Sequence, residues 1–93
     1  MAELVYEHAM RVEDADGAIY VPRTYGELRG DGTWRGWIEL HPLIGVGRVL
    51  STGQETSQPN REALAYWASG LEPVYFEGAL ARAVEVAGTA SRF

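Results

Sequence analysis

A polar run of ten residues, from Ser51 to Asn60, holds the densest set of side chains that could bind a ligand. It combines hydroxyl and amide groups with a single carboxylate, that of Glu55. Loops at strand ends commonly carry function, and the first turn of a helix favours anions. A small polar ligand could bind here, although a capped connector between a strand and a helix is the preferred explanation. The candidate ligand-binding residues are Thr52, Glu55, Thr56, Gln58 and Asn60.

The sequence has only two histidines, which limits nucleophilic catalysis. A serine or threonine nucleophile needs a nearby base, which could only be His8 or His41, and the sequence has no nucleophile-elbow pattern. His41 together with Glu55 could serve as the acid/base groups of a small hydrolase. No spacing in the sequence brings these groups together, so a hydrolase stays an alternative and we assign no catalytic residue.

Metal and cofactor sites find little support. A zinc site would need His8 and His41 to converge with a carboxylate such as Glu39, and the sequence has no cysteine. Residues 14–17, Asp-Ala-Asp-Gly, resemble the start of a calcium loop but lack the later ligands, so we interpret them as a turn. We predict no bound metal and no cofactor.

Large aromatic residues are numerous for so short a chain. We expect Trp34 and Trp67 in the core, whereas Trp37 should lie on the opposite face of its strand as an exposed ring. Arg35 and Glu39 would flank it there, and rings beside arginine are typical of protein interfaces. We therefore predict an interface at Arg35, Trp37 and Glu39, formed with a second copy of the chain or with another protein.

Composition limits the function classes. The 93 residues predict one domain, residues 1–93, with a single core. The net charge is −5 and there is no lysine, which disfavours nucleic-acid binding. The sequence contains neither an apolar stretch long enough to span a membrane nor a signal peptide, so we expect a cytoplasmic protein.

The first half of the chain predicts four strands. Alternation of apolar and polar residues indicates strands at 4–13, at 18–28 with a break near Pro22, and at 33–41, and a fourth strand is expected at 48–52. Asp16-Gly17 is typical of a type I′ hairpin turn. Pro22 predicts an edge strand or an interruption, because proline cannot donate to a ladder. Gly36 predicts a bulge or a neighbour packed over it.

The second half predicts two helices. Leu64, Trp67, Ala68 and Leu71 share one face of a helix that begins after Ser57 or Asn60 and ends at Gly70, with Gly70 in the left-handed conformation. Pro73 opens a second helix that Gly88 ends. Its apolar stripe is Phe76, Leu80, Ala83, Val84 and Ala87.

These elements predict an α+β fold, in which an antiparallel four-stranded sheet of hairpins is followed by two C-terminal helices packed on one face. The favoured function is a non-enzymatic protein-interaction or regulatory module that acts as a homodimer. A small polar-ligand-binding domain that uses the loop at 52–60 is one alternative, and a small hydrolase with His41 and Glu55 is the other.

Overall fold

The described part of the chain forms six strands followed by two helices. The computed structural model describes residues 1–45 and 47–90, with only the backbone for Thr89 and Ala90, so Val46 and residues 91–93 lie outside the described residues. In chain order the elements are β1 (Glu3–Glu7), β2 (Val12–Glu13), β3 (Ile19–Leu28), β4 (Trp34–Pro42), β5 (Leu50–Ser51), β6 (Thr56–Gln58), α1 (Arg61–Ser69) and α2 (Pro73–Ala90).

All the strand pairs are antiparallel, and β3 and β4 form the centre of the sheet. β1 and β2 both pair with β3, while β5 and β6 both pair with β4. The predicted α+β class is confirmed, but the sheet has six strands rather than four. The predicted first strand breaks between Glu7 and Val12 into β1 and β2, and part of the predicted polar loop forms β6. Short segments of this kind pair because a neighbour is present, which local alternation does not encode.

The first hairpin forms where predicted but with a longer loop. β2 and β3 pair through Glu13 and Ile19, and Asp14 Oδ1 accepts hydrogen bonds from the backbone N–H groups of Asp16 and Ala18, both at 2.9 Å. Only Gly17 in this loop has a positive φ, of 85°. A type I′ turn needs positive φ at both central residues, so that part of the prediction is wrong.

Pro22 lies in the uninterrupted central strand β3 and is buried, contrary to the prediction of an edge or a break. Its carbonyl accepts from the His8 N–H at 3.2 Å. The N and O of one strand residue point to the same side, so the missing N–H of Pro22 faces the gap between β1 and β2. Proline is tolerated there because no ladder bond is lost.

α1 begins after Asn60, the later of the two predicted starts. The Asn60 Oδ1 accepts from the Ala63 N–H at 2.7 Å, which satisfies one of the unpaired donors of the first turn. Gly70 ends α1 as predicted, but with φ −92° rather than in the left-handed region. α2 continues past Gly88 to Ala90, so the predicted stop at Gly88 is wrong.

Both helices cover the same face of the sheet, which we call the helix face. The main core joins strand residues such as Ile38 and Leu40 to Phe76 and its neighbours on α2. Val84, predicted to belong to the apolar stripe of α2, is 49% exposed. In the described residues, no helix is both long and apolar enough to span a membrane.

Leu64 of α1 packs into a hole made by two glycines. Gly26 and Gly36 are direct partners on β3 and β4. A Cβ built on Gly26 would lie 2.4 Å from Leu64 Cδ2, and one on Gly36 would lie 2.6 Å from Leu64 Cδ1. The prediction that a neighbour packs over Gly36 is confirmed, and the pair of glycines sets the distance between α1 and the sheet.

Candidate functional site

The sheet face opposite the helices, which we call the open face, carries a patterned set of charged and aromatic side chains. Register places Arg23, Tyr25 and Glu27 on this face of β3, opposite Glu39, Trp37 and Arg35 of β4. Both strands therefore carry the same five-residue pattern, arginine, any residue, an aromatic residue, any residue, glutamate. Antiparallel pairing puts each arginine opposite the glutamate of the other strand.

A row of four side chains crosses the middle of the open face. The Arg35 guanidinium lies 4.4 Å from the centre of the Trp37 ring. Tyr25 stacks between Trp37 and His41, with ring centres 6.3 Å and 6.1 Å apart and interplanar angles of 20° and 22°. These are offset stacking and cation–π geometries, so the row is held in place before any partner binds.

Hydrogen bonds and ion pairs fix the same row at its margins. Trp37 Nε1 donates to Glu39 Oε2 at 3.2 Å, and His41 Nε2 donates to Glu39 Oε1 at 3.1 Å. Arg35 Nε lies 3.4 Å from Glu27 Oε1 across the strands. Glu39 thus binds an indole and an imidazole at once, and both of its oxygens are occupied.

Trp37 itself is covered by this row. Its exposed fraction is only 7%, although it lies on the face predicted, away from the helices. Trp34, expected in the core, is only partly buried at the end of β4. Sequence alternation placed the two indoles on opposite faces but could not reveal that Arg35 and Tyr25 fold over Trp37. Any contact surface here consists of the covering groups rather than a bare indole.

Arg23, Tyr25 and Glu27 are open-face residues that sequence analysis missed. The signal was available, because the arginine, aromatic and glutamate spacing of 35–39 also occurs at 23–27. Turn residues at 30–32 make the two segments successive strands, and Gly32 has the positive φ, 87°, that such a turn uses. The repeated spacing and the turn at 30–32 together predict that β3 and β4 pair.

Glu55 binds α2 rather than an open site. Its side chain is only 8% exposed, accepts a hydrogen bond from the Tyr75 hydroxyl, and accepts two from Arg82, at 3.0 Å and 2.6 Å. Burial, and then the neighbouring Glu55 carboxylate, raise the pKa of Tyr75 well above its ordinary value. The bond to Glu55 likewise raises the pKa of Arg82. This cluster fastens the β5 to β6 connection to α2.

Arg82→Met tests whether the contacts of Glu55 with α2 stabilise the fold. The change leaves the largely buried Glu55 carboxylate with only the Tyr75 hydroxyl, so we expect the free energy of unfolding to fall by about 1–2 kcal/mol in urea denaturation. This expected fall in unfolding free energy is smaller than that for a fully buried ion pair, because the Arg82 side chain is 45% exposed. Glu55→Gln should recover part of the loss in the double variant.

Arg61→Met is the matched control, since Arg61 pairs with Glu3 where both side chains are about half exposed. It should change the unfolding free energy by less than about 1 kcal/mol. Equal losses for Arg61→Met and Arg82→Met would contradict a special role for the Glu55 cluster.

The other predicted ligand-binding residues are also engaged within the chain. Thr52 is buried, with its hydroxyl accepting from the Ile38 N–H and donating to the Gly53 carbonyl. Gln58 donates to the Thr56 hydroxyl at 2.7 Å, and Asn60 caps α1. Strand, loop and cap thus use these polar groups separately, and the structure does not gather them around one pocket.

The two histidines lie on opposite faces of the sheet. His8 is on the helix face, where its ring contacts Phe76 and shares a hydrogen bond with Thr24 at 2.8 Å. His41 stacks on the open face, so it meets neither His8 nor the Glu55 cluster on α2. Within residues 1–45 and 47–90, no three histidine, cysteine or acidic side chains are placed to hold a metal ion.

Comparison with known proteins gives the chain no relative: no protein-family model, no curated protein and no solved structure matches it.

Proposed function

We propose that this chain is a non-enzymatic protein-interaction module that forms a homodimer through the open face of its sheet. The observation that carries the proposal is the repeated pattern of arginine, aromatic ring and glutamate on β3 and β4. A surface that binds its own copy must be complementary to itself. The charge arrangement of this face meets that requirement.

Two orientations of a two-fold axis show how the charges of two copies would meet. Suppose that the axis lies in the plane of contact and passes through the Tyr25 and Trp37 pair. If it runs along the strands, Arg23 of one copy lies over Glu39 of the other. If it runs across them, Arg23 lies over Glu27. Either orientation brings opposite charges together and places Tyr25 and the other side chains that cover Trp37 against those of the second copy, as in packed sheets.

The rigidity of the open-face row also supports a role in protein binding. Ordering side chains on association costs about 0.5–1.5 kcal/mol for each one that is immobilised. Here Arg35, Trp37, Tyr25 and His41 are already held by stacking and hydrogen bonds. Of the predicted interface residues, Arg35 and Trp37 belong to this preorganised row, and Glu39 holds it by accepting hydrogen bonds from Trp37 and His41.

The two alternative functions receive less support. A ligand-binding loop needs free polar groups, but Thr52, Glu55 and Asn60 bond within the chain. A hydrolase needs His41 beside Glu55, but the first stacks on the open face and the second binds α2. The open face therefore offers the better basis for function.

Complementary charge variants test the proposal. In one variant Arg23 and Arg35 become glutamate, and in the other Glu27 and Glu39 become arginine. Like charges would then face each other in either homodimer, so each variant alone should be monomeric, and mixing them should restore a dimer. Light scattering measures the mass, and the wild type should give twice the 10.2 kDa of one chain.

Reversal of Glu62 and Glu72, which are exposed on and beside α1, is the matched control and should leave the dimer intact. Circular dichroism melting establishes that each variant is folded. A wild-type mass of 10.2 kDa at high protein concentration would refute the homodimer, and so would a mixture that stays monomeric although both variants are folded.

A further inference from the structure

A groove runs between the first hairpin and α2, on the other side of the molecule from the open-face row. One half of it is a depression of about 460 Å³ between residues 13–16 and α2, and the other is a depression of about 360 Å³ that reaches Pro73. The two halves share Glu13, Glu77 and Leu80, so they form one continuous groove, which we call the hairpin groove.

The floor of the hairpin groove is apolar. Val12, Leu80, Ala81 and Val84 contribute to it. Val12 and Leu80 are buried in the core, whereas Val84 is half exposed even though it continues the apolar stripe of α2. A valine left uncovered at the end of a buried stripe leaves apolar area that a partner side chain could remove from water.

The rim of the hairpin groove is acidic. Glu13, Asp14, Asp16 and Glu77 line the larger half. Arg11, at the Pro73 end, is the only cationic residue among the described residues that line the groove. Four carboxylates around one depression give it a negative potential, so a cationic group would be attracted to the rim while the floor takes up apolar groups.

We propose that the hairpin groove binds a short, basic, amphipathic helix of a partner protein. Along α2 the groove extends from Pro73 to Val84, which corresponds to about 16 Å at the helical rise, or about three turns of a partner helix. Apolar side chains of the partner would lie on the floor, and its lysine and arginine side chains would pair with the rim.

Charge complementarity selects this occupant over others. Anionic lipid surfaces and nucleic acids would be repelled by the rim. A second copy of this chain is a poor match, because the chain carries −5, has no lysine and has scattered arginines. The proposal does not depend on the homodimer, since the groove and the open face use different residues.

The test uses two synthetic helical peptides of about three to four turns with the same leucine pattern, one with lysine and one with glutamate at every polar position. The lysine peptide should bind saturably in fluorescence anisotropy and more weakly at high salt. Amide NMR shifts should concentrate at residues 12–16 and 77–84. Asp16→Lys and Glu77→Lys should each weaken binding roughly tenfold.

Glu62→Lys is the matched control, because it makes the same charge change on α1, outside the groove, and should alter affinity by less than about twofold. If Glu62→Lys weakens peptide binding as much as the groove variants do, the effect comes from net charge alone and the proposal is overturned. NMR shifts centred on the open face would overturn it too, as would the absence of saturable binding or equal binding of the lysine and glutamate peptides by the wild type. Undiminished binding of the lysine peptide by an Asp16→Lys or Glu77→Lys variant that melts like the wild type would also overturn it.

Discussion

Gly36→Ala should destabilise the protein by about 1–3 kcal/mol, although alanine is normally harmless in a strand. The new methyl group would meet Leu64 Cδ1 at 2.6 Å and Thr56 Cγ2 at 3.1 Å. Leu64 cannot rotate away, because its other methyl group already fills the space over Gly26. Chemical denaturation measures the loss.

Leu64→Ala shows whether the loss arises from this contact. Alone, it removes a fully buried side chain and should cost about 2–5 kcal/mol. In the Leu64→Ala background, Gly36→Ala should cost less by at least about 1 kcal/mol, since the added methyl group then enters the cavity. Additive losses would contradict the packing of Leu64 between the two glycines.

Gly53→Ala is the control for glycine replacement itself. Gly53 has neither a positive φ nor any neighbour within 4 Å of an added Cβ. The change should be neutral or stabilise the protein by up to about 1 kcal/mol, by restricting the unfolded chain.

Acidification should destabilise the protein through His8. Burial lowers the pKa of His8 from 6.5 to about 4, so the unfolded chain binds the proton more tightly than the native state. Stability that is fully present above pH 6.5 is therefore lost as the pH falls towards 4. At about 1.4 kcal/mol per pKa unit the full loss approaches roughly 3 kcal/mol.

His8→Gln isolates this effect, because an amide can keep the bond to Thr24 without titrating. The pH profile of the unfolding free energy should be flatter for this variant between pH 6.5 and 4. Parallel profiles for wild type and His8→Gln, or an NMR titration of His8 near its ordinary pKa, would contradict the prediction.

Local patterns predicted the elements well where side-chain spacing alone decides them. The helix from Asn60 to Gly70 and the strand at 33–41 follow from apolar spacing and capping residues. Local patterns failed where contact with another element determines the local structure. Pro22 is central because β1 and β2 leave a gap beside it, and residues 56–58 extend because β4 offers an edge.

The candidate site was only partly predictable for the same reason. Alternation assigned Arg35, Trp37 and Glu39 to one face, which register confirms. It did not reveal Tyr25 as the stacking partner, because that contact joins residues of two strands. Glu55 was predicted as a free ligand-binding carboxylate, but Arg82, 27 residues later, binds it.

By itself the sequence determined the α+β class, the position of the first hairpin, the end of α1 at Gly70 and the face on which each β4 side chain lies. Those properties depend on neighbours within a few residues, through backbone sterics, capping and the strand period of two. Only the tertiary structure decided that Trp37 is covered, that Leu64 fills the space over two glycines, and that acidic residues surround an apolar groove. Each of these needs groups far apart in the chain to be brought within contact distance, and no local pattern records which groups will meet.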